Sequence, residues 1–545
     1  MNSTLLEKNL LCLAATSSEA AALISRSPLC SDFSVITSRE GTAVPAVHEK
    51  PLHSRFNPVR EGHRLSQQYS KSGMILAYGL GGAYHLTPLL SNSDLSSLVI
   101  IENDPSLVKS ILSHMDLSTL FLDKRVRLWI SENPMDFKSF LLAKYIPVLS
   151  GDLQSISLRT RIDMDSDFYI KITETVQESI SAITDDYTVQ THFGKKWFIN
   201  TVTNLEASEE TTVTLKPVQQ AIITAAGPGL EKQMSHLIKN RDGKTLIATD
   251  TSLPVLLENG LKPDLVISID CQHISYHHFM KGYPKEIPLV LDLASPPFLT
   301  RIADRCFFFT SDHPFSNYVS RNFREFPRID TSGGNVTHAA LSLAESLGAV
   351  KIDLYGADFS YPFGKPYARG TYVYPYFHKS SMRLSGIESQ ICDFVLHNKT
   401  LNREVFEQGF RYISKPMIHY RNSLERKGNS MSAHINNIRG DGVALHFNTI
   451  RKQASNEFRM MSAGQSFQNR EDFLKEYARL VMELPEMKEN INEFLDSLNN
   501  SQKEILLSIL PAAAHFRKKT DSGSIALNQA RTWTLDLLKR KTISR

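Results

Sequence analysis

Between residues 219 and 356 six short apolar runs recur, and each ends in turn residues before the next begins. They read "QAIITAA" (219–225), "TLIAT" (245–249), "DLVISI" (264–269), "PLVLDL" (288–293), "CFFFTS" (306–311) and "VKIDLYG" (350–356). Each run is too short for a helix, and its apolar residues are continuous rather than alternating. That is how a strand buried on both faces of a parallel sheet reads. Helical patterns lie between several of them, among them "GLEKQMSHLIKN", "SLPVLLENG" and "NVTHAALSLAESLG", with Gly260 and Gly348 at positions that end two of these. Strands alternating with helices predict a doubly wound α/β domain.

The same alternation, more weakly written, precedes it. "GMILAYGLGGAYHLTPLL" (73–90) reads as strand, glycine turn and helix, "SSLVIIENDPSLVKSIL" (96–112) as strand, turn and helix, and "RVRLWIS" (125–131) as a third strand. Past about Asn429 the pattern changes. A polar, irregular stretch, "SMSAHINNIRGDGVALHFNTIRKQASNEF", precedes apolar residues at helical spacing in "REDFLKEYARLVMELPEMKENINEFLDSL" and "SIALNQARTWTLDLLKR". The expected fold class is therefore α/β, with two doubly wound Rossmann-like domains followed by a small C-terminal helical domain. The expected boundaries are 1–190, 191–428 and 429–545.

Composition narrows the class. A chain of 545 residues is too long for one core. A net charge of +4 with acids and bases well mixed argues against nucleic-acid binding by bulk charge. The five cysteines have no metal-ligand spacing, which fits reduced thiols in a cytoplasm. No signal peptide and no membrane span are expected, because no window of about 20 residues is continuously apolar.

Candidate functional residues collect in the central domain. Gly227, Pro228 and Gly229 lead straight from a strand into a helix, whose free N–H groups favour an anion. Ser332, Gly333, Gly334 and Asn335 stand before a second helix. Two such crossings in one sheet suit a ligand that carries phosphate. Asp250, Asp270, Asp292 and Asp358 follow strand ends, the edge where open α/β sheets bind ligands. They suit hydroxyl contacts or a metal, and spacing alone leaves both open. Tyr361, Tyr367, Tyr372, Tyr374 and Tyr376 crowd a loop rich in Pro and Gly that leads to His378, whose imidazole suits a general base. In the first domain, the "GLGG" turn and Glu102 have the outline of a nucleotide site, but the glycine spacing favours packing alone.

These residues resemble the motility accessory factor family, bacterial proteins that modify flagellin with nonulosonic (sialic-acid-like) sugars. The blocks that carry the resemblance are "LHSRFNPVREGHRL" (52–65), "YGLGGAYHL" (78–86), "GPGLEK" (227–232), "ATDTSLPVLLENGLKPDLVISID" (248–270) and "SGGNVTHAALSLAESLGAVKIDLYGADFSY" (332–361). The family's central domain is similar to bacterial sialyltransferases that use CMP-activated donors. The resemblance implies transfer of a nonulosonic sugar from a CMP donor to Ser or Thr of flagellin, in the cytoplasm and with no required cofactor or metal. It implies that Gly227, Gly229, Ser332 and Gly333 hold the nucleotide, that Tyr361 and Tyr367 face the donor phosphate, and that His378 is the base. The middle block also resembles archaeal enzymes that pyrophosphorylate hydroxymethyl-dihydropterin with ATP, which would use Mg²⁺ on acids such as Asp250 or Asp270. A flagellin-binding chaperone without catalysis is the third reading.

Overall fold

The structure is a computed structural model that describes residues 3–69, 73–210, 213–397, 400–448, 460–488 and 490–543. The chain forms two compact units: Met1–Gly194 with Leu480–Leu535, and Lys195–Arg479 with Asp536–Arg545.

The first unit is built on a four-stranded parallel sheet in the order Val126–Ile130, Ser97–Glu102, Met74–Tyr78, Leu153–Ser157. Its two inner strands are buried at every position, which is why they read as unbroken apolar runs. The helices Ser3–Ala14 and Ser18–Arg26 bury Leu13, Ala20, Ala21 and Ile24 in the same core as Leu107, Val108 and Ile111 of the helix Pro105–His114. A small antiparallel sheet, Phe33–Thr37, Ala43–Val47 and Lys50–Pro51, was not visible in the sequence pattern. The "GLGG" turn does not open an α-helix; the chain winds through turns to a short 3₁₀ segment, Thr87–Ser91.

The C-terminal helices do not stand as a third compact unit. Leu480–Leu535 belongs to the first, held there by polar contacts that periodicity cannot announce. Asn492 Nδ2 donates to Ser97 Oγ at 3.2 Å, and Asp496 pairs with Lys144 at 3.0 Å and with Arg127.

The second unit carries a seven-stranded parallel sheet. Its order is Cys306–Phe309, Leu289–Asp292, Leu265–Ser268, Thr245–Thr249, Gln220–Thr224, Lys351–Tyr355, His434–Asn437. All six predicted runs are strands. The seventh lies within the stretch expected to be an irregular loop, whose residues 449–459 fall outside the described chain. It is an edge strand, and it pairs in register Ile352↔Ile435. Winding proceeds outward from Gln220–Thr224 in one direction and then returns to place Lys351–Tyr355 on its other side. The crevice at the carboxyl ends of these two neighbours is therefore the topological switch point. Within this unit, the end of the long helix Ser166–Glu210 ties down strand ends: Asn200 and Asn204 donate to the carbonyls of Cys271, Leu293, Ala294 and Ser295 at 2.7–3.1 Å. No helix among the described residues is long and apolar enough to cross a membrane.

Candidate active site

At the switch point the strand Gln220–Thr224 runs into Ala225, Ala226 and the Gly227-Pro228-Gly229 turn, and the helix Gly229–Lys239 begins. The turn is bare because a side chain of the protein packs against it. Asp358, beyond the neighbouring strand, is buried, and its Oδ2 accepts the Gly229 N–H at 2.5 Å. A Cβ on Gly227 would stand 2.5 Å from Asp358 Oδ2, and one on Gly229 the same distance from Oδ1. The segment 440–443 covers this carboxylate: Val443 donates to the Asp358 carbonyl at 2.8 Å. Burial pushes the Asp358 carboxyl up to about 6, against the pull of the Gly229 N–H, and Asp441 pushes the same way. The anion at this helix N-terminus is thus Asp358 itself.

The second glycine turn is closed in a similar way. Asp330 Oδ1 accepts the Ser332 N–H at 2.9 Å, and Asp330 Oδ2 lies 3.3 Å from His338 Nε2. Burial works against ionisation of Asp330, but the Ser332 hydroxyl and N–H and His338 outweigh it and hold the carboxyl at about 2. Asn335 caps the helix Val336–Ser346 by accepting from His338 N–H at 3.0 Å, and its amide donates to the Gly333 carbonyl. Gly334 has φ +69° and faces the Tyr420 ring, so only glycine suits that bend.

Two other acids sit along the same edge. Asp250, buried after Thr245–Thr249, accepts from Ser268 Oγ at 2.6 Å and from the Thr251 N–H at 2.7 Å. Asp270, half-buried after Leu265–Ser268, accepts the Gln272 N–H at 2.9 Å, and burial raises its carboxyl, with Asp250 adding to the rise. Asp292 is buried, and burial raises its carboxyl too; its Oδ1 accepts the Ala294 N–H.

The tyrosine-rich segment folds over this edge. Ala368 N–H donates to the Ala226 carbonyl at 2.9 Å, so the loop is hydrogen-bonded to the end of the central strand. Glu231 accepts the Arg369 N–H, and Lys281 donates to the Gly370 carbonyl. Tyr361 begins a short strand paired with Gly409–Ile413. Burial drives the Tyr367 phenol well above its ordinary value, with Tyr372, Tyr361, Asp250 and Tyr420 adding to it. Burial also raises Tyr372, and there Asp250 and Asp270 contribute. These phenols therefore stay protonated and can act as hydrogen-bond donors.

A cavity of about 200 Å³ opens beside them, lined by His277, Met280, Lys281, Tyr372, Tyr376 and Lys379 among others. Its walls come from the 3₁₀ helix His273–Phe279 and the helix Val373–Ser380. The rings of His277 and Tyr372 stack at 6.0 Å, and His278 meets Tyr372 edge-on at 4.7 Å. His378 lies in the last turn of Val373–Ser380 and is exposed, one residue from the cavity-lining Lys379. The sequence analysis missed His277 and His278. The signal was there in "CQHISYHHF", which places three histidines directly after Asp270.

The first unit's own switch point, between Met74–Tyr78 and Leu153–Ser157, is filled by protein. Glu102 Oε1 accepts the Leu80 N–H at 2.7 Å, and Oε2 pairs with Arg161 Nε at 3.0 Å, both side chains fully buried. A Cβ on Gly79 would meet Arg161 Cγ at 2.8 Å, and one on Gly81 would meet His53 Nε2 at 2.5 Å. Glu102 is a packing and charge partner of the turn.

Comparison with known proteins bears on the fold. Residues 195–364 match the family described as 6-hydroxymethylpterin diphosphokinase MptE-like. An uncharacterized protein of Treponema pallidum (strain Nichols) is 33% identical over 153 residues, covering 27% of this chain and 54% of that protein. A second from the same organism is 33% identical over 167 residues, covering 30% of this chain and 80% of that protein. The chain spans about half the length of the first of these relatives and most of the second. A solved structure, the MAf glycosyltransferase from Magnetospirillum magneticum AMB-1, superposes with a TM-score of 0.57 at 13% identity, covering 100% of this chain and 96% of that one.

Proposed function

We propose a function from two premises: the chain belongs to the same family as its second Treponema pallidum relative, and from end to end it has the fold of the MAf glycosyltransferase. The reading is glycosyl transfer from a nucleotide-activated sugar, with the chemistry in the second unit. One observation carries it. The carboxyl edge of the seven-stranded sheet is roofed by a loop that puts protonated Tyr367 and Tyr372 near Asp250, with Tyr361 close to Tyr367, beside a cavity large enough for a small substituent.

In this reading the bond between the anomeric carbon and the donor phosphate lengthens first, and positive charge grows on the sugar. Catalysis then consists chiefly of meeting the departing phosphate with hydrogen-bond donors held in place beforehand. Neutral phenols suit that task, because they donate without first shedding a charge. Asp250 and Asp270 accept hydrogen bonds from the hydroxyls of ribose or sugar. A phosphate reaching the Gly227–Gly229 turn must displace Asp358 or find it protonated. The Ser332–Asn335 turn carries the nucleotide from its outer side. The donor is a CMP-activated nonulosonic sugar and the acceptor Ser or Thr of flagellin; what supports these two is the resemblance of the sequence blocks around "GPGL" and "SGGN".

The match of residues 195–364 to the diphosphokinase family favours a second reading, ATP-dependent pyrophosphoryl transfer to a pterin. It covers one part of one unit, whereas the glycosyltransferase likeness extends over the whole chain. The test is direct. Purified protein, a CMP-activated nonulosonic sugar and unmodified flagellin should yield CMP, and ATP with hydroxymethyl-dihydropterin should yield no AMP.

A further inference from the structure

The second unit holds a histidine placed for chemistry that neither the sequence pattern nor the family resemblance singled out. His278 is the penultimate residue of the 3₁₀ segment His273–Phe279 that follows Asp270, and its half-buried ring stands edge-on to Tyr372 at 4.7 Å. Its Nδ1 is sealed from solvent and has no hydrogen-bond partner. A buried, unsatisfied ring nitrogen costs on the order of 1–3 kcal/mol and calls for an explanation. His277, beside it, lines the cavity together with Tyr372 and Tyr376. The groups near the ring are Asp270, which feels its charge, Tyr372 on its edge, and Asp250, which acts on both of those. His378, by contrast, is exposed in the last turn of the helix Val373–Ser380.

We propose that His278 is the general base of the second unit, with Asp270 as the residue that orients it. This rests on the glycosyl-transfer reading. The acceptor hydroxyl gives its proton to Nε2 of His278, and Nδ1 turns toward Asp270. As that proton leaves, the acceptor oxygen bonds to the anomeric carbon. The bond from that carbon to the donor phosphate breaks, and its electron pair departs on the phosphate oxygen, where the tyrosine hydroxyls meet it. The imidazolium then returns its proton to water. The arrangement explains why Nδ1 of His278 is left unpaired beside the cavity-lining His277 and Tyr372: its partner is present only when substrate has drawn the dyad together.

Two measurements on the full chain test this. The first follows the ring signals of ¹⁵N-histidine-labelled protein, with His278 assigned through His278→Gln, as CMP is added. A saturable shift of the His278 signal that Asp270→Asn alters is expected; a signal indifferent to CMP overturns the proposal. The second measures CMP release from CMP-N-acetylneuraminic acid in the presence of flagellin. His278→Gln should lower kcat by roughly 10²–10⁴-fold, leave KM within a few-fold, and abolish the acid limb of the kcat pH profile at an unchanged melting temperature. A kcat within a few-fold of wild type, or an acid limb that persists, overturns the assignment of His278 and leaves the transfer reading standing. A wild-type protein that binds CMP but releases none from the donor overturns the transfer reading, and the base with it.

Discussion

Asp358 Oδ2 sits 2.5 Å from the backbone nitrogen of Gly229, where the helix Gly229–Lys239 would otherwise present that N–H to a ligand phosphate. The carboxylate is held in the place of an anion at a helix N-terminus. Burial is the dominant influence on it and lifts it to about 6.

The sign of the pH effect follows. The folded protein binds the Asp358 proton more tightly than the unfolded chain, so ionisation weakens the fold. The penalty is absent below about pH 4 and fully present above about pH 6, with a ceiling of about 3 kcal/mol from the two-unit rise. Asp358→Asn keeps an acceptor for Gly229 N–H and removes the charge. It should melt at or above the wild-type temperature at pH 7.5 and lose most of that advantage at pH 4.5. Melting curves at both values check this, and a variant less stable than wild type at pH 7.5 would show that the charged hydrogen bond outweighs burial.

Glu102→Gln should damage the first unit severely. It leaves Arg161, fully buried, facing a neutral amide. Leaving a buried charge without any partner costs about 3–5 kcal/mol; Arg161 keeps its pair with the part-exposed Asp165, so the loss should lie below that range, and soluble yield and melting temperature should both fall. Normal stability with lost activity would instead give Glu102 a part in chemistry and would revive a nucleotide site at the "GLGG" turn.

Much of the second unit was legible in the sequence because parallel strands buried on both faces print as continuous apolar runs. The strands that were missed lack that print. In His434–Asn437 only Ile435 is buried, and backbone pairing to Lys351–Tyr355 does the rest. Asn402–Phe406 is exposed along most of its length. The acids at strand ends were found, since position alone marks them. Their partners were not, because Asp358 reaches Gly229 across 129 residues of chain and no local pattern encodes that contact. The C-terminal helices were legible as helices; that Leu480–Leu535 packs with the first unit depends on pairs such as Lys144–Asp496.

Tyr367→Phe removes one phenol hydroxyl from the aromatic roof and keeps the ring against Phe394. The fold should survive within a few degrees of melting temperature. Loss of one preorganised donor to a departing oxyanion typically lowers kcat by ~10²-fold, and KM should change little. Steady-state CMP release measures this, and an equal kcat would remove Tyr367 from the phosphate's path.

The central claim is that the carboxyl edge of the seven-stranded sheet transfers a sugar from a CMP donor to flagellin. Intact-mass spectrometry of flagellin tests it most directly, with flagellin incubated with the purified chain and a CMP-activated nonulosonic sugar in the presence of EDTA. The account predicts a mass increase of whole nonulosonic residues, matched by released CMP and unaffected by the chelator. Flagellin of unchanged mass, together with Mg²⁺-dependent AMP formation from ATP and hydroxymethyl-dihydropterin, would contradict it.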